Sequence, residues 1–355
     1  MTLKNKLFKN KKTLKNENIS LKKEIEKLNQ ENNKLKNELI SVNNKYHNLR
    51  YIRSNEKNAS SFCSHEFIDY YFSDDFEEKF QKMVKNLPKE SKDYFKWLLL
   101  RVLIVNFNGK ESLFSDSELL NQKNWVKFEK NNVKDNKIGK YTFEGDYNLH
   151  GFIDLNLTDD EKEFLKNKDI IDAGAFTGDT AIPLSEITEN QVYAFEPFED
   201  SFELMVKNIK INEKNNICPV NKSLGDINGK RKLFLSKNNF QGITFDSELR
   251  NYDQELVVEE TTIDSFVSEN KLDVGLITVD VEGAEKNLLN GAVETIKSQK
   301  PVLFISIYHG VEDFFEIKPW IEELDLGYEF EIVKEQPWTF VADTVLKCKI
   351  NNKNH

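Results

Sequence analysis

Cysteine is scarce and unpaired in this chain. Cys63, Cys218 and Cys348 are isolated, odd in number and show no C-x-x-C spacing. That excludes a disulfide framework and suits a reducing, cytoplasmic setting. Long apolar runs are missing too. The longest, Trp97–Val105, is interrupted by Arg101 and is too short to span a bilayer. The basic N-terminus has no apolar stretch of the kind a secretory signal needs. Positive charge is thin over most of the 355 residues: residues 1–60 hold 15 Lys+Arg against 6 Asp+Glu, the remainder 35 against 54. An acidic body of this kind repels phosphates and excludes nucleic acid as the main partner. The basic N-terminal part reads as a solvated helix face, with contact to a membrane or polyanion as the alternative. No internal repeat of 20–50 residues is visible. Hydrophobic residues make up 39%, with 26 Phe, enough for a sizeable core.

The informative stretch is Asp172-Ala-Gly-Ala-Phe-Thr-Gly178. It follows an apolar strand, Asp169–Asp172, and leads into a helix from Asp179. Gly174 and Gly178 allow a tight turn and close approach of a ligand, and the helix start presents unpaired amides. Such a loop suits the carboxylate end of an amino-acid-like cofactor such as S-adenosylmethionine. A dinucleotide would want G-x-G-x-x-G, and the middle glycine is absent here. A second strand, Val192–Phe195, ends in Glu196, placed to accept from both ribose hydroxyls. A fourth strand, Val274–Asp280, delivers Asp280 and Glu282 to its carboxyl end, with Gly283 turning into a helix over Glu285–Ile296. Pro183 is tolerated only in a first helical turn and fixes that helix start near Asp179–Thr180.

Asp172–Thr180, Ala194-Phe-Glu-Pro197, Thr262-Ile-Asp264, Thr278-Val-Asp-Val-Glu-Gly-Ala-Glu285 and Leu289-Asn-Gly-Ala292 together resemble the FkbM-type S-adenosylmethionine-dependent methyltransferases. Lys300–His309 with Glu312-Asp313 resembles one bacterial branch of that family. The resemblance spans roughly residues 140–348. It implies an α/β fold, a Rossmann-like class I methyltransferase sheet, mostly parallel with an antiparallel last strand. It implies O-methylation of a hydroxyl on a sugar, glycan precursor or secondary metabolite. The cofactor set is then Asp172, Gly174, Gly178, Thr180, Glu196, Asp226 and Asp280. Asp226, after a third strand over Ile217–Ser223, would meet the adenine amino group or simply form a turn. A non-catalytic coiled-coil scaffold with the same fold is the alternative, disfavoured by the retained Asp172, Gly174, Gly178, Glu196 and Asp280.

Domain organisation reads as a coiled coil over 1–53, a linker over 54–65, a helical region over 66–137 and the methyltransferase-like domain over 138–350. Leu7, Leu14, Leu21, Leu28 and Leu35 recur every seven residues and continue as Val42 and Leu49. That is the period of a left-handed coiled coil. Asn18 and Asn32 at a positions favour a parallel dimer, and Glu17–Lys22 and Glu31–Lys36 can pair between chains. The partner is therefore expected to be a second copy, joined through residues 14–52. A lone amphipathic helix is the alternative. Phe67, Tyr70, Tyr71, Phe76 and Phe80 read as core. Val133–Gly151 reads as a hairpin, Tyr141–Phe143 against Tyr147–Leu149, that lids the site, with a structural His150 at its end. Arg231–Leu235, Ile243–Phe245 and Leu256–Thr261 form an excursion before the third acidic strand. Pro301–Ile307 is the fifth strand, and Tyr328–Val333 with Thr339–Leu346 a closing antiparallel pair.

Methyl transfer from a sulfonium is an in-line displacement that depends on positioning, and an alcohol needs a base. The catalytic candidates are His309, Asp280 and Glu282. His309 is favoured as base because an unperturbed imidazole titrates near neutrality, and orienting Glu312 or capping a loop is its alternative role. A divalent metal on Asp280, Glu282 and His309 is a second route to an activated hydroxyl. Nothing in the spacing demands it, and a metal-free site is expected.

Overall fold

Near-continuous apolar runs, not alternating ones, make the central strands: Val274–Val279 and Val302–Ser306 are buried at every position. That pattern belongs to parallel strands covered on both faces. A computed structural model describes residues 22–23, 27, 30, 34, 65–108, 116–147, 157–235, 254–334 and 343–350. The chain divides into two units, Met1–His65 with Ile104–Gly109, and Glu66–Leu103 with Lys110–His355. In the first, Lys22, Lys23, Lys27, Gln30 and Lys34 are helical and exposed. All five fall off the a and d positions of the heptads. The seam residues, His150, and the expected strand Ile243–Phe245 lie outside the described residues.

Four helices precede the sheets along the chain, His65–Tyr71, Phe76–Val84, Lys89–Asn108 and Asp116–Asn132. A meander follows, β1 (Val133–Lys134), β2 (Lys137–Ile138) and β3 (Tyr141–Thr142). The hairpin expected here is thus a three-stranded meander, and Tyr147 is not in a strand. Asp135 and Gly139, both with positive φ, supply tight turns that the longer-hairpin reading passed over.

The main sheet joins β4 (Asp169–Ala173), β5 (Val192–Phe195), β6 (Ile217–Val220), β10 (Val274–Val279), β11 (Val302–Ser306), β12 (Tyr328–Lys334) and β13 (Thr344–Ile350) in the order β12-β13-β11-β10-β4-β5-β6. Neighbours from β6 to β11 are parallel. β13 runs antiparallel to both β11 and β12. The fold is therefore the expected α/β one, a mostly parallel Rossmann-like sheet with its last strand reversed. Strand order reverses between β4 and β10, which opens a crevice at their carboxyl ends. The expected strand Ile217–Ser223 is split. β6 ends at Val220, and β7 (Ser223–Leu224) leaves for a second sheet, β7-β9-β8, with β8 (Gly229–Leu235) and β9 (Gln254–Thr261). The last strand lies later than expected, at Thr344–Ile350.

The helix expected over Glu285–Ile296 is two, Glu285–Asn290 and Val293–Gln299. Packing explains the break. A Cβ on Gly291 would stand 2.0 Å from the Gly225 carbonyl oxygen, and the Gly291 carbonyl accepts from the Asp264 amide. Asp264 then caps the second helix from outside, accepting from the Glu294 and Thr295 amides at 3.0 and 2.7 Å. Of the N-terminal aromatic residues expected as core, Phe67 is buried and Tyr70, Tyr71, Phe76 and Phe80 are half-buried. Phe67, Phe76 and Phe95 pack on Phe314 and Phe315 of helix Val311–Glu323. Beside them Lys318, fully buried, donates to the Lys82 and Lys85 carbonyls and pairs with Glu322. Its ammonium thus closes the C-terminal end of helix Phe76–Val84.

Candidate active site

Strand register assembles the site. Thr278 of β10 stands opposite Asp172 of β4, and Asp172 opposite Ala194 of β5. Two residues further on, Gly174, Glu196 and Asp280 therefore leave the sheet at one edge. Gly174 adopts φ +86°, and a Cβ there would lie 1.9 Å from the Asp280 carbonyl oxygen. Only glycine lets the β4 loop cross β10 this closely. Gly178 has φ +83°, and Phe176 between them also has positive φ, an uncommon conformation for a bulky side chain. Thr180 precedes the short helix Ala181–Leu184, whose third residue is Pro183. The helix starts about two residues later than expected and lasts a single turn, with Ser185 Oγ donating to the Ile182 carbonyl near its end.

Glu196 is buried. Its two carboxylate oxygens accept from the Phe176 amide at 2.9 Å and the Phe198 amide at 2.8 Å. One lone-pair site on each oxygen remains for a ligand hydroxyl. Burial pushes its pKa up to about 8, against the two amides that favour the charge. Asp172 accepts from Thr278 Oγ1 at 2.6 Å through Oδ1, and its Oδ2 is buried without a hydrogen-bond partner. Burial, reinforced by Asp179 and Asp280, raises it to about 7.

Sequence reasoning missed the fastening of this loop. Thr177 Oγ1 donates to the Asp146 carbonyl at 2.8 Å. The Asn208 side chain, fully buried, donates to the Thr177 and Glu144 carbonyls and accepts from the Glu144 amide. The segment after β3 is thereby strapped onto the glycine loop. An Asn in a helical pattern with no apparent capping role was the only signal available.

The second half of the site surrounds His309, just beyond β11. Its side chain is only 4% exposed. Nδ1 meets Glu285 Oε1 at 2.7 Å, and Nε2 lies 3.4 Å from Asp280 Oδ1 and 3.8 Å from Glu282 Oε2. Tyr308 Oη donates to Asp280 Oδ1 at 3.4 Å. Burial opposes a charge on the imidazole, but Glu285, with Glu282 and Asp280, holds its pKa up to about 10. The expectation that His309 titrates near neutrality fails for this reason: Glu285, at the start of its helix, joins the strand-end Asp280 and Glu282 around the ring. Burial and Glu285 also raise Asp313. Glu282 and Gly283 both have positive φ, which swings the Glu282 side chain toward His309.

The structure thus gathers Asp172, Gly174, Gly178 and Glu196 around one loop, with Asp280, Glu282 and His309 beside it. Asp226 stands apart from them in its contacts. It pairs with Arg231, which also grips Glu260 at 2.8 and 2.7 Å. That cross-link ties β8 to β9, so the turn reading of Asp226 has a structural partner and the adenine reading none yet.

Residues 172–330 match the family model of the methyltransferase FkbM domain. Among solved structures, a methyltransferase FkbM from Methylobacillus flagellatus KT aligns over 80% of this chain at 17% identity and a TM-score of 0.49. The chain spans 62% of that protein's length. Fibrillarin from Aeropyrum pernix, solved with S-adenosyl-L-methionine, aligns over 56% of this chain and 71% of its own at 13% identity and a TM-score of 0.31. No protein of curated function matches. Among the described residues no helix is long and apolar enough to cross a membrane.

Proposed function

We propose that the protein is an S-adenosylmethionine-dependent O-methyltransferase acting on a hydroxyl of a sugar, glycan precursor or secondary metabolite. The observation that carries this reading is the convergence of Asp172, Glu196 and Asp280, one per strand end, on a glycine loop within the FkbM-type segment. The residues fit the cofactor. Asp172 Oδ2 is a buried acceptor lacking a partner, and the Gly174 crossing leaves no side chain over the strand ends.

The cofactor supplies an electrophilic methyl group on a positively charged sulfur. Glu196 accepts from the ribose hydroxyls with the lone pairs its two amides leave. Asp172 fixes the loop through Thr278 and places negative charge beneath a cationic ligand. Asp280, half-exposed at the mouth, orients the methionine end or the acceptor. His309 retains its proton at neutral pH in the metal-free chain, so it does not begin the reaction as a base. In the metal-free chain Asp280 and Glu282, the more exposed carboxylates, are the groups beside it that accept a hydroxyl proton. Aligning the acceptor oxygen supplies much of the remaining acceleration.

Calorimetric titration with S-adenosylhomocysteine tests the reading: stoichiometric binding is expected, and its absence in the folded protein would refute it. Labelled methyl donor, offered with glycans and small metabolites from a lysate, identifies the acceptor. The cytoplasm is the proposed location, on the unpaired cysteines. Residues 14–52 are proposed to join two chains in parallel, on the heptad pattern and the exposure of helical positions off its seam. Deleting residues 1–55 should give a folded, largely monomeric remainder in sedimentation, and a persistent dimer would place the interface elsewhere.

A further inference from the structure

We propose that His309 Nε2, Asp280 and Glu282 bind one first-row divalent cation of the manganese or zinc type, with Glu285 orienting the imidazole from behind. Four observations carry it. First, the ring is locked. Its Nδ1 faces Glu285 Oε1 at 2.7 Å, and Glu285 is fully buried and held in turn by the Val281 amide at 3.1 Å. An incoming cation displaces the Nε2 proton, and the imidazole that remains donates from Nδ1 to Glu285 and presents the Nε2 lone pair on its other side. A carboxylate behind a histidine is the arrangement that fixes metal-ligating imidazoles.

Second, Nε2 is buried and makes no hydrogen bond, although carboxylate oxygens lie at 3.4 and 3.8 Å. A buried ring nitrogen beside two carboxylates but hydrogen-bonded to neither leaves a place for one ion that all three can ligate. Third, the spacing suits a metal. Bonds of roughly 2.0–2.2 Å to nitrogen and oxygen set adjacent donor atoms about 3–3.5 Å apart, and His309 Nε2 already lies 3.4 Å from Asp280 Oδ1 and 3.8 Å from Glu282 Oε2. Fourth, Glu282 reaches this point through a left-handed backbone, φ 55°, followed by Gly283 at φ 99°. A non-glycine residue held there costs of order 1–3 kcal/mol and clusters at functional sites.

The donor set selects the class of ion. One imidazole with two carboxylates favours manganese, iron or zinc over magnesium or calcium, which prefer oxygen alone. Asp280 is half-exposed, so one side of the site stays open to solvent, as in catalytic rather than structural centres. Ion binding does not depend on the methyl-transfer reading. Only the role given to the ion rests on it: a Lewis acid that lowers the pKa of the acceptor hydroxyl.

The test uses the full-length, chelator-treated protein titrated with manganese chloride, with free Mn²⁺ followed by electron paramagnetic resonance. One saturable site per chain is expected, with zinc competing. His309→Ala and Glu282→Gln should each weaken it by about 10-fold or more, and Glu285→Gln by about 10–100-fold, the usual effect of losing an outer partner. Glu282 is partly exposed, so Glu282→Gln should unfold as the parent does and reports on binding alone. No saturable binding by the parent, or unchanged binding in both Glu282→Gln and His309→Ala, overturns the proposal. S-adenosylhomocysteine titrated in the absence of metal separates the two readings. Its binding without a manganese site refutes only the metal, and a manganese site without its binding refutes only the cofactor reading.

Discussion

Asp172→Asn should gain stability on the parent as pH rises in the ligand-free protein, while weakening cofactor binding. The parent carboxylate is buried, and burial, with Asp179 and Asp280 adding like charge, raises its pKa from 3.8 to about 7. A group raised on folding adds its full stability below the unfolded pKa and loses it as pH rises toward the folded one. The contribution of Asp172 therefore falls between about pH 4 and pH 7. About three units correspond to about 4 kcal/mol at the upper limit. Relaxation around the charge reduces this to about 1–3 kcal/mol in practice, given the polar Thr278 contact and the usual gap between ideal and effective burial costs. Asparagine keeps the acceptor for Thr278 Oγ1 but puts an amide donor where Oδ2 lacks a partner. That costs about 1–3 kcal/mol at every pH. The variant is expected to be equal to or less stable than the parent at pH 5 and to gain on it steadily up to pH 8. Urea unfolding at pH 5, 6, 7 and 8 without cofactor reads the difference. A stability difference that does not change across this range would show that Asp172 is ionised throughout, and the burial argument would be wrong.

Glu196→Ala should weaken S-adenosylhomocysteine binding by about 1–3 kcal/mol, as for a lost charge-assisted hydrogen bond, and calorimetry on the folded variant measures it. Unchanged affinity would remove Glu196 from the site. Gly174→Ala forces a Cβ against the Asp280 carbonyl at 1.9 Å, so the β4 and β10 ends must separate; thermal melting should fall by several degrees and cofactor binding should be lost. Lys318→Met leaves the Lys82 and Lys85 carbonyls without their donor and should destabilise by about 1–3 kcal/mol, with proteolysis near residues 82–89 appearing first.

Strand positions were legible wherever burial on both faces left an apolar run. Val192–Phe195 has the expected bounds, and β10 and β11 are within a residue at each end. The acidic strand tips were legible for the same reason, since a carboxylate after such a run has little use in a core. What the sequence hid depends on a second chain segment. The Gly291 break is set by the Gly225 carbonyl, far off in sequence. Glu285 read as a helix start, and only the folded chain shows it bonded to His309. The raised pKa of His309 has the same origin, because residue type gives the unperturbed value and the neighbours decide the rest.

The residues that carry the FkbM resemblance divide by what they touch. Asp172, Gly174, Gly178, Glu196, Asp280 and Glu282 line the strand ends. Thr262, Asp264 and Gly291 do not. Thr262 caps its own helix by accepting from the Ser265 amide, and Asp264 caps Val293–Gln299 from outside. The Gly291 carbonyl joins the two elements through the Asp264 amide. This clasp holds the helices that flank β10, and so fixes where Asp280 and Glu282 emerge. A motif set of this kind records two requirements at once, side chains gathered at the strand ends and caps that keep their strands in register. Substitutions in the clasp should therefore lower stability first and affect ligand binding only through the position of β10.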